Sequence, residues 1–388
     1  MRIALYTYNT KPRGGVVHTL ALAEALRNRG CGVTVFALGT GGNEGFYRPV
    51  EADTRIVPFT LRAGQTFEER IARYIDTYTE GLDQEPLADF DIHHVQDCIS
   101  ANALRRLREK GRIPFFLRTV HHLDDFTTPV LIDCQHKSVV RPNALITVSH
   151  YWRNRLNAEF GRDSEVIHNG VEQRFYEPRG DRERLKEAYG FAGKTVFLTL
   201  GGIEPRKNTI RTLRAFAQVK AKLPHAELLI AGGTTLFDYR HYLQAFQAEL
   251  QAMDNDVRSS VRLSAAPNND TVQDYYALAD CFVQPSTKEG WGLAVMEAMA
   301  GGTPVVASTI EVFREFLTHE SNALLAEPED EDAIAAQMFR AVTDTGLQEQ
   351  LHTAGKSSIQ AYSWAAAAEK HMAVYERMLA VGQSSFAN

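Results

Sequence analysis

Cysteine is scarce: only Cys31, Cys98, Cys134 and Cys281 occur in 388 residues. That is too few for a disulfide scaffold, and no pair has the C-x-x-C spacing of a zinc knuckle. No run of 18 apolar residues is present, so no membrane-spanning helix is expected. Positive charge is not in excess either, with 42 Lys and Arg against 48 Asp and Glu. A protein built to grip nucleic acid is normally basic, so nucleic acid is excluded as the expected partner. Residues 1–172 carry 21 charges of each sign, and the whole acidic excess falls in the remainder. What is present is ordinary for a folded soluble protein: 44% hydrophobic and 23% charged residues. The apolar run at the N-terminus stops at Tyr8-Asn9-Thr10, too short for the core of a secretion signal. It reads as a first strand, and a reducing, cytoplasmic location is expected.

At about 150 residues per domain, the length predicts two domains. β-rich runs at 2–8, 32–39, 55–61, 91–97, 114–120, 144–150 and 165–171 alternate with helical patterns at 16–29, 67–82, 101–110 and 151–160. The rhythm returns with strands at 195–201, 226–231, 261–265, 281–285 and 304–307. Helices are expected at 209–223, 240–253, 272–279, 292–300, 332–343 and 363–379. Such alternation predicts α/β architecture with parallel sheets covered on both faces. Turn residues Asn169-Gly170, Pro178 and Gly180, with flanking charges, mark 168–183 as the linker. Two Rossmann-like doubly wound domains joined near residue 173, facing across a cleft, are therefore expected. Ligands of such sheets bind at the carboxyl ends of the strands.

Three segments carry candidate chemistry. Lys11-Pro12-Arg13-Gly14-Gly15 follows the first strand and opens a helix. Gly14 and Gly15 would let a ligand approach the backbone, and the helix start offers N–H groups to an anion; a plain tight turn is the alternative. The loop is not G-x-G-x-x-G, which disfavours a nicotinamide cofactor. Gly201-Gly202-Ile203-Glu204-Pro205-Arg206-Lys207 places Arg206 and Lys207 after a strand, where fixed cations suit a pyrophosphate. In 285–304, Glu289 and Glu297 stand eight positions apart. Glu289 falls at the mouth of a helix beginning near Gly292, and Glu297 about a turn and a half inside it. With Gly290 and Gly292 near the first carboxylate, the N–H groups at Trp291–Leu293 and Glu289 could hold sugar hydroxyls, and Glu297 could accept a ribose diol; two surface glutamates on one helix are the alternative.

Other polar clusters are weaker. His121 and His122 follow a strand and alternate in direction, so one could serve the cleft; a metal cluster with Asp124 or Asp125 is the alternative. His93-His94 reads as structural, and Asp89-Phe90-Asp91 as a surface turn. The basic run 105–112 reads as a solvated helix end, with contact to anionic lipid as a second reading.

In this order and spacing the segments resemble the retaining, nucleotide-sugar-dependent glycosyltransferases of the GT-B fold, family four. The resemblance rests on the Gly14-Gly15 loop and the strand ending Thr119-Val120-His121, then Val148-Ser149 and Ile167-His168-Asn169-Gly170-Val171. It continues through the 201–208 loop, the E-x7-E element and the closing Tyr362-Ser363-Trp364 segment. It implies an acceptor-side domain at 1–172, a nucleotide-sugar domain at 173–362 and a last helix, 363–388, crossing back to the first. It also implies roles: Glu289 at the donor sugar's hydroxyls, Glu297 at the ribose, Lys207 at the diphosphate, His121 beside the reacting sugar and Gly15 near the diphosphate. The family Arg five residues before the Lys is Gly202 here, which leaves Arg206 to supply the charge. Trp291 stands where the family carries an aromatic.

The implied reaction moves a sugar from a UDP- or GDP-sugar to an acceptor hydroxyl with retention. No metal or other cofactor is expected, because Lys207, Arg206 and helix N-termini can carry the phosphate charge. The partners are then a nucleoside diphosphate sugar and an unidentified acceptor, with peripheral membrane contact left open. An epimerase or hydrolase of the same fold, or a non-catalytic sugar-nucleotide-binding subunit, is the alternative.

Overall fold

The computed structural model describes residues 1–40, 45–60, 62–232 and 239–386. Leu61, expected at the end of the third strand, lies outside them. The chain divides into two compact units, Met1–Gly170 with Tyr362–Asn388, and Val171–Ala361.

The first unit alternates β1 (Arg2–Thr7), α1 (Gly14–Asn28), β2 (Gly32–Thr40), β3 (Asp53–Phe59), α2 (Phe67–Asp83), β4 (Ile92–Val95), α3 (Cys98–Glu109), β5 (Leu117–Val120), α4 (Pro129–Val140), β6 (Ala144–Thr147), α5 (His150–Phe160) and β7 (Glu165–Val166). All seven strands are parallel, in the order β3-β2-β1-β4-β5-β6-β7. Central strands read as continuous apolar runs because helices cover both faces: β1 is buried from its second residue on. Helix starts follow capping chemistry. Thr66 and Glu69 form a reciprocal capping box on α2, Asp97 caps α3 and Ser149 caps α5.

In the second unit, α6 (Arg182–Ala188) precedes β8 (Thr195–Leu200), α7 (Thr209–Lys222), β9 (Ala226–Ala231), α8 (Arg240–Ala252), α9 (Asn255–Ser259), β10 (Val261–Ser264), α10 (Asn269–Leu278), β11 (Cys281–Gln284), α11 (Leu293–Ala300), β12 (Val305–Ser308), α12 (Glu311–Arg314), β13 (Leu324–Ala326), α13 (Glu331–Thr343) and α14 (Thr345–Ile359). Its six parallel strands run β10-β9-β8-β11-β12-β13. The linker expected at 168–183 is partly ordered: Gln173–Tyr176 forms a 3-10 turn, and Asp181 caps α6. The last helix, α15 (Trp364–Phe386), packs on α1 of the first unit.

Both sheets reverse direction beside their first strand, between β1 and β4 and between β8 and β11. Adjacent loops there leave the carboxyl edge on opposite sides and open a crevice, the standard ligand position in doubly wound sheets.

Candidate active site

In the second unit, the loop after β8 is shaped by Gly201, whose φ of +128° suits glycine. The Lys207 side chain lies across it, with Cε 3.1 Å from where a Cβ would stand. Pro205–Lys207 forms a 3-10 turn ending at Asn208. Asn208 donates its amide to the carbonyls of Pro285 (2.9 Å) and Pro328, and Thr287 N–H bonds the Arg206 carbonyl at 2.9 Å. The loops after β8 and β11 are thereby fastened to each other at the switch point.

This brings Lys207, Arg206 and Glu289 together. Lys207 Nζ lies 2.6 Å from Glu289 Oε1, and Arg206 Nη1 lies 3.3 Å from Oε2. Arg206 also meets Glu204 at 3.0 Å. Ser286 Oγ donates to Glu289 Oε1 at 2.9 Å, and Gln284 donates to Ser286 at 2.7 Å. Burial alone would raise the Glu289 carboxyl; the two cations and the hydroxyl overcome it and hold the group at about 2. Burial draws the Lys207 ammonium down against the pull of Glu289.

Gly292, at φ +114°, turns the chain into α11, and a Cβ there would stand 2.6 Å from Phe313 Cε1. No side chain caps α11, so the N–H groups of its first turn are not taken up by a side-chain cap. The Trp291 ring is core: 2% exposed, 4.8 Å from Phe316, its indole N–H on Met296 Sδ. Across Gly290–Leu293 the Trp291 ring is therefore turned into the core, and Leu293 opens the helix. Glu297 is buried further along α11, where Tyr276 Oη donates to it at 2.8 Å. Burial pushes its carboxyl up to about 7, against the pull of the Tyr276 hydrogen bond.

In the first unit, Gly14 opens α1 directly after Arg13, whose side chain makes no cap. A Cβ on Gly15 would stand 3.7 Å from His121 Cδ2. His121 leaves β5 and bonds Gln96, at the end of β4, from Nε2 to Oε1 at 3.2 Å. Its ring meets His18 edge-on, centroids 4.6 Å apart. Burial, then His122 and Arg118, lower its pKa to about 3. His122 turns the other way, 3.5 Å from Asp124 and towards Trp152.

The remaining clusters resolve structurally. His93 bonds the Tyr6 hydroxyl, and His94 bonds Tyr375 and Thr119, all at 2.8 Å. Asp89 and Asp91 anchor Arg2. In the basic run, Arg105 pairs with Glu109, Arg106 with Asp76, and Lys110 and Arg112 with Asp83. Gln96, His18, Ser286, Tyr276 and Asn208 were not legible as site residues. Gln96, His18 and Asn208 act on partners at least 25 positions away, Tyr276 on one 21 positions away, and Ser286 on Glu289 three positions on. Ser286's place after a strand was the one available signal.

Two family descriptions match in tandem: Glycosyltransferase Family 4 over residues 12–175, and Glycosyl transferases group 1 over residues 181–358. The chain belongs to glycosyltransferase family four. This family-four chain is 25% identical to an uncharacterised glycosyltransferase of Methanocaldococcus jannaschii, across 97% of this chain and 98% of that one. It is likewise 25% identical to the phosphatidyl-myo-inositol mannosyltransferase of Mycolicibacterium smegmatis, across 98% and 95%. The fold matches sucrose-phosphate synthase from Thermosynechococcus elongatus with a TM-score of 0.81, at 20% identity, covering 98% of this chain and 99% of that one. The family-four protein is thus a nucleotide-sugar-dependent glycosyltransferase with two GT-B-type units. Among the described residues, no helix is long and apolar enough to cross a membrane.

Proposed function

We propose that the protein transfers a hexose from a UDP- or GDP-sugar to an acceptor hydroxyl, with retention at the anomeric carbon and without a metal. The observation that carries this reading is the Lys207–Glu289–Arg206 cluster on the joined loops after β8 and β11. Two fixed cations beside open helix N–H groups suit a diphosphate that gains charge as it leaves. Glu289, ionised at any physiological pH, accepts hydrogen bonds from the donor sugar's hydroxyls. Glu297 takes the ribose diol, Gly15 approaches the diphosphate and His121 stands beside the reacting sugar. With Glu297 held by the nucleotide, a glycosidase-type carboxylate pair is not available. The acceptor oxygen instead bonds to C1 on the face from which the diphosphate departs, and the leaving phosphate oxygen takes the acceptor's proton.

A thermal-shift screen of nucleotide sugars identifies the donor, because a ligand of the folded state raises the melting temperature. Glu289→Ala is expected to abolish transfer while nucleoside diphosphate affinity stays within a few-fold, since Lys207 is then freed for phosphate. Lys207→Ala is expected to lower kcat about a hundredfold and weaken donor binding. Undiminished transfer by Glu289→Ala would overturn the assignment. Turnover of donor without any acceptor would replace transfer with hydrolysis or epimerisation.

A further inference from the structure

In the first unit, the His121 ring has one edge turned inward. Its Cδ2–Nε2 edge faces Gly15 and Gln96, which puts Nδ1 on the opposite edge. Gln96 is 3% exposed and joins two histidines: its Oε1 lies 3.2 Å from His121 Nε2, and its Nε2 lies 3.4 Å from His94 Nε2. An amide oxygen only accepts, so His121 must carry its proton on Nε2. The amide NH2 only donates, so His94 Nε2 is an acceptor, shared with the Thr119 hydroxyl at 2.8 Å. The His94 proton then sits on Nδ1 and is donated to the Tyr375 oxygen at 2.8 Å. One proton arrangement thus satisfies the run from Tyr375 on α15, through His94 and Gln96, to His121. Which ring nitrogen keeps its lone pair is set by the bond the other one makes.

We propose that Gln96 is a positioning residue for the transfer reaction: it fixes His121 as the neutral Nε2–H tautomer, so that Nδ1 presents a lone pair to a hydroxyl of the bound sugar. This rests on the placement of His121 beside the reacting sugar. His121 acts as a neutral hydrogen-bond acceptor and takes no proton. The surroundings explain why: burial and the charges of His122, Arg118 on β5, His94 on β4 and His371 on α15 all disfavour a second proton on its ring, His18 on α1 lies edge-on to it, and the nearby Asp124 meets His122. Gln96 is the residue at which a carboxylate would reverse this.

Two variants test the idea, Gln96→Glu and Gln96→Leu, with His121→Asn as reference. Ring-15N histidine labelling of the full chain, with the His121 signals assigned by their loss in His121→Asn, reads the tautomer directly. The wild type is expected to show a protonated Nε2 and an unprotonated Nδ1 from pH 6 to 8. Gln96→Glu is expected to convert His121 to imidazolium at pH 6 and to give transfer a new rising limb as pH increases, with donor KM nearly unchanged. Gln96→Leu is expected to mix the tautomers and lower kcat about tenfold, the equivalent of one hydrogen bond. An Nδ1–H tautomer in the wild type, or unchanged His121 signals in both variants, would overturn the proposal. Normal transfer by His121→Asn would instead overturn the placement of His121, whatever the tautomer. Nucleoside diphosphate affinity and circular dichroism confirm that each variant is folded.

Discussion

Glu289 and Glu297 show how eight residues of sequence separate two identical side chains chemically. Both are buried, but Glu289 meets two cations and stays at about 2, whereas Glu297 meets one tyrosine hydroxyl and rises to about 7. A carboxylate accepts a pair of hydroxyls better than a carboxylic acid does, so ribose binding favours the ionised form. Donor affinity is therefore expected to rise up to about tenfold from pH 6 to pH 8. The donor's own diphosphate does not titrate in that window. Calorimetric Kd values for a nucleotide sugar across the range check this, and Glu297→Gln should flatten the profile; a wild-type profile that is already flat refutes it. The residues themselves were legible because glycines, glutamates and basic residues fall in a short ordered stretch. Their opposite protonation states were not. Those depend on Tyr276, 21 positions before Glu297, and on Lys207, 82 before Glu289.

Among the elements, α15 depends most on a contact that sequence hides. At Gly170, a Cβ would stand 2.1 Å from the Trp364 backbone nitrogen. Backbone cannot yield as a flexible side chain can, so Gly170→Ala should push α15 from its seat. A loss of about 2–4 kcal/mol in urea unfolding of the first unit is expected, with early proteolysis between residues 362 and 386. Wild-type stability would show that the helix accommodates the methyl. The long periodic elements were read to within a few residues, since buried parallel strands and capped amphipathic helices carry their own signals. Helices α4 and α14, the short helices α6, α9 and α12, and strand β13 were not. Gly346, Gly355 and four serines or threonines dilute the helical pattern of α14, and β13 is three residues long. In α4 the Pro129 start is a valid first-turn signal, but Ile132 lies exposed and blurs the apolar stripe.

For the whole molecule, the titrating groups divide by unit. His18, His93, His94, His121 and His371 all belong to the first unit, and burial holds each of them below the ordinary histidine range. A folded state that binds fewer protons than the unfolded one loses stability as pH falls. At pH 5 a histidine held at about 4, as His93 and His371 are, costs the first unit roughly 2 kcal/mol relative to pH 7.5. Glu297 has the opposite sign: raised to about 7, it strengthens the second unit as pH drops from 7 towards 4.5. Scanning calorimetry at pH 5 should therefore show the first unit melting ahead of the second, and His371→Leu should narrow the gap. A single transition with the same midpoint at pH 5 and 7.5 would count against this division. The order of the chain has a further effect during synthesis. The second unit is one continuous segment, Val171–Ala361, while the first needs His371 and Tyr375 of α15 to cover His18 and His94. A ribosome makes Met1–Gly170 of that unit first and its helix α15 only after the whole of the second unit. The later-made unit can finish folding first, and the earlier one must wait for α15 to follow it, with two histidines of its core uncovered.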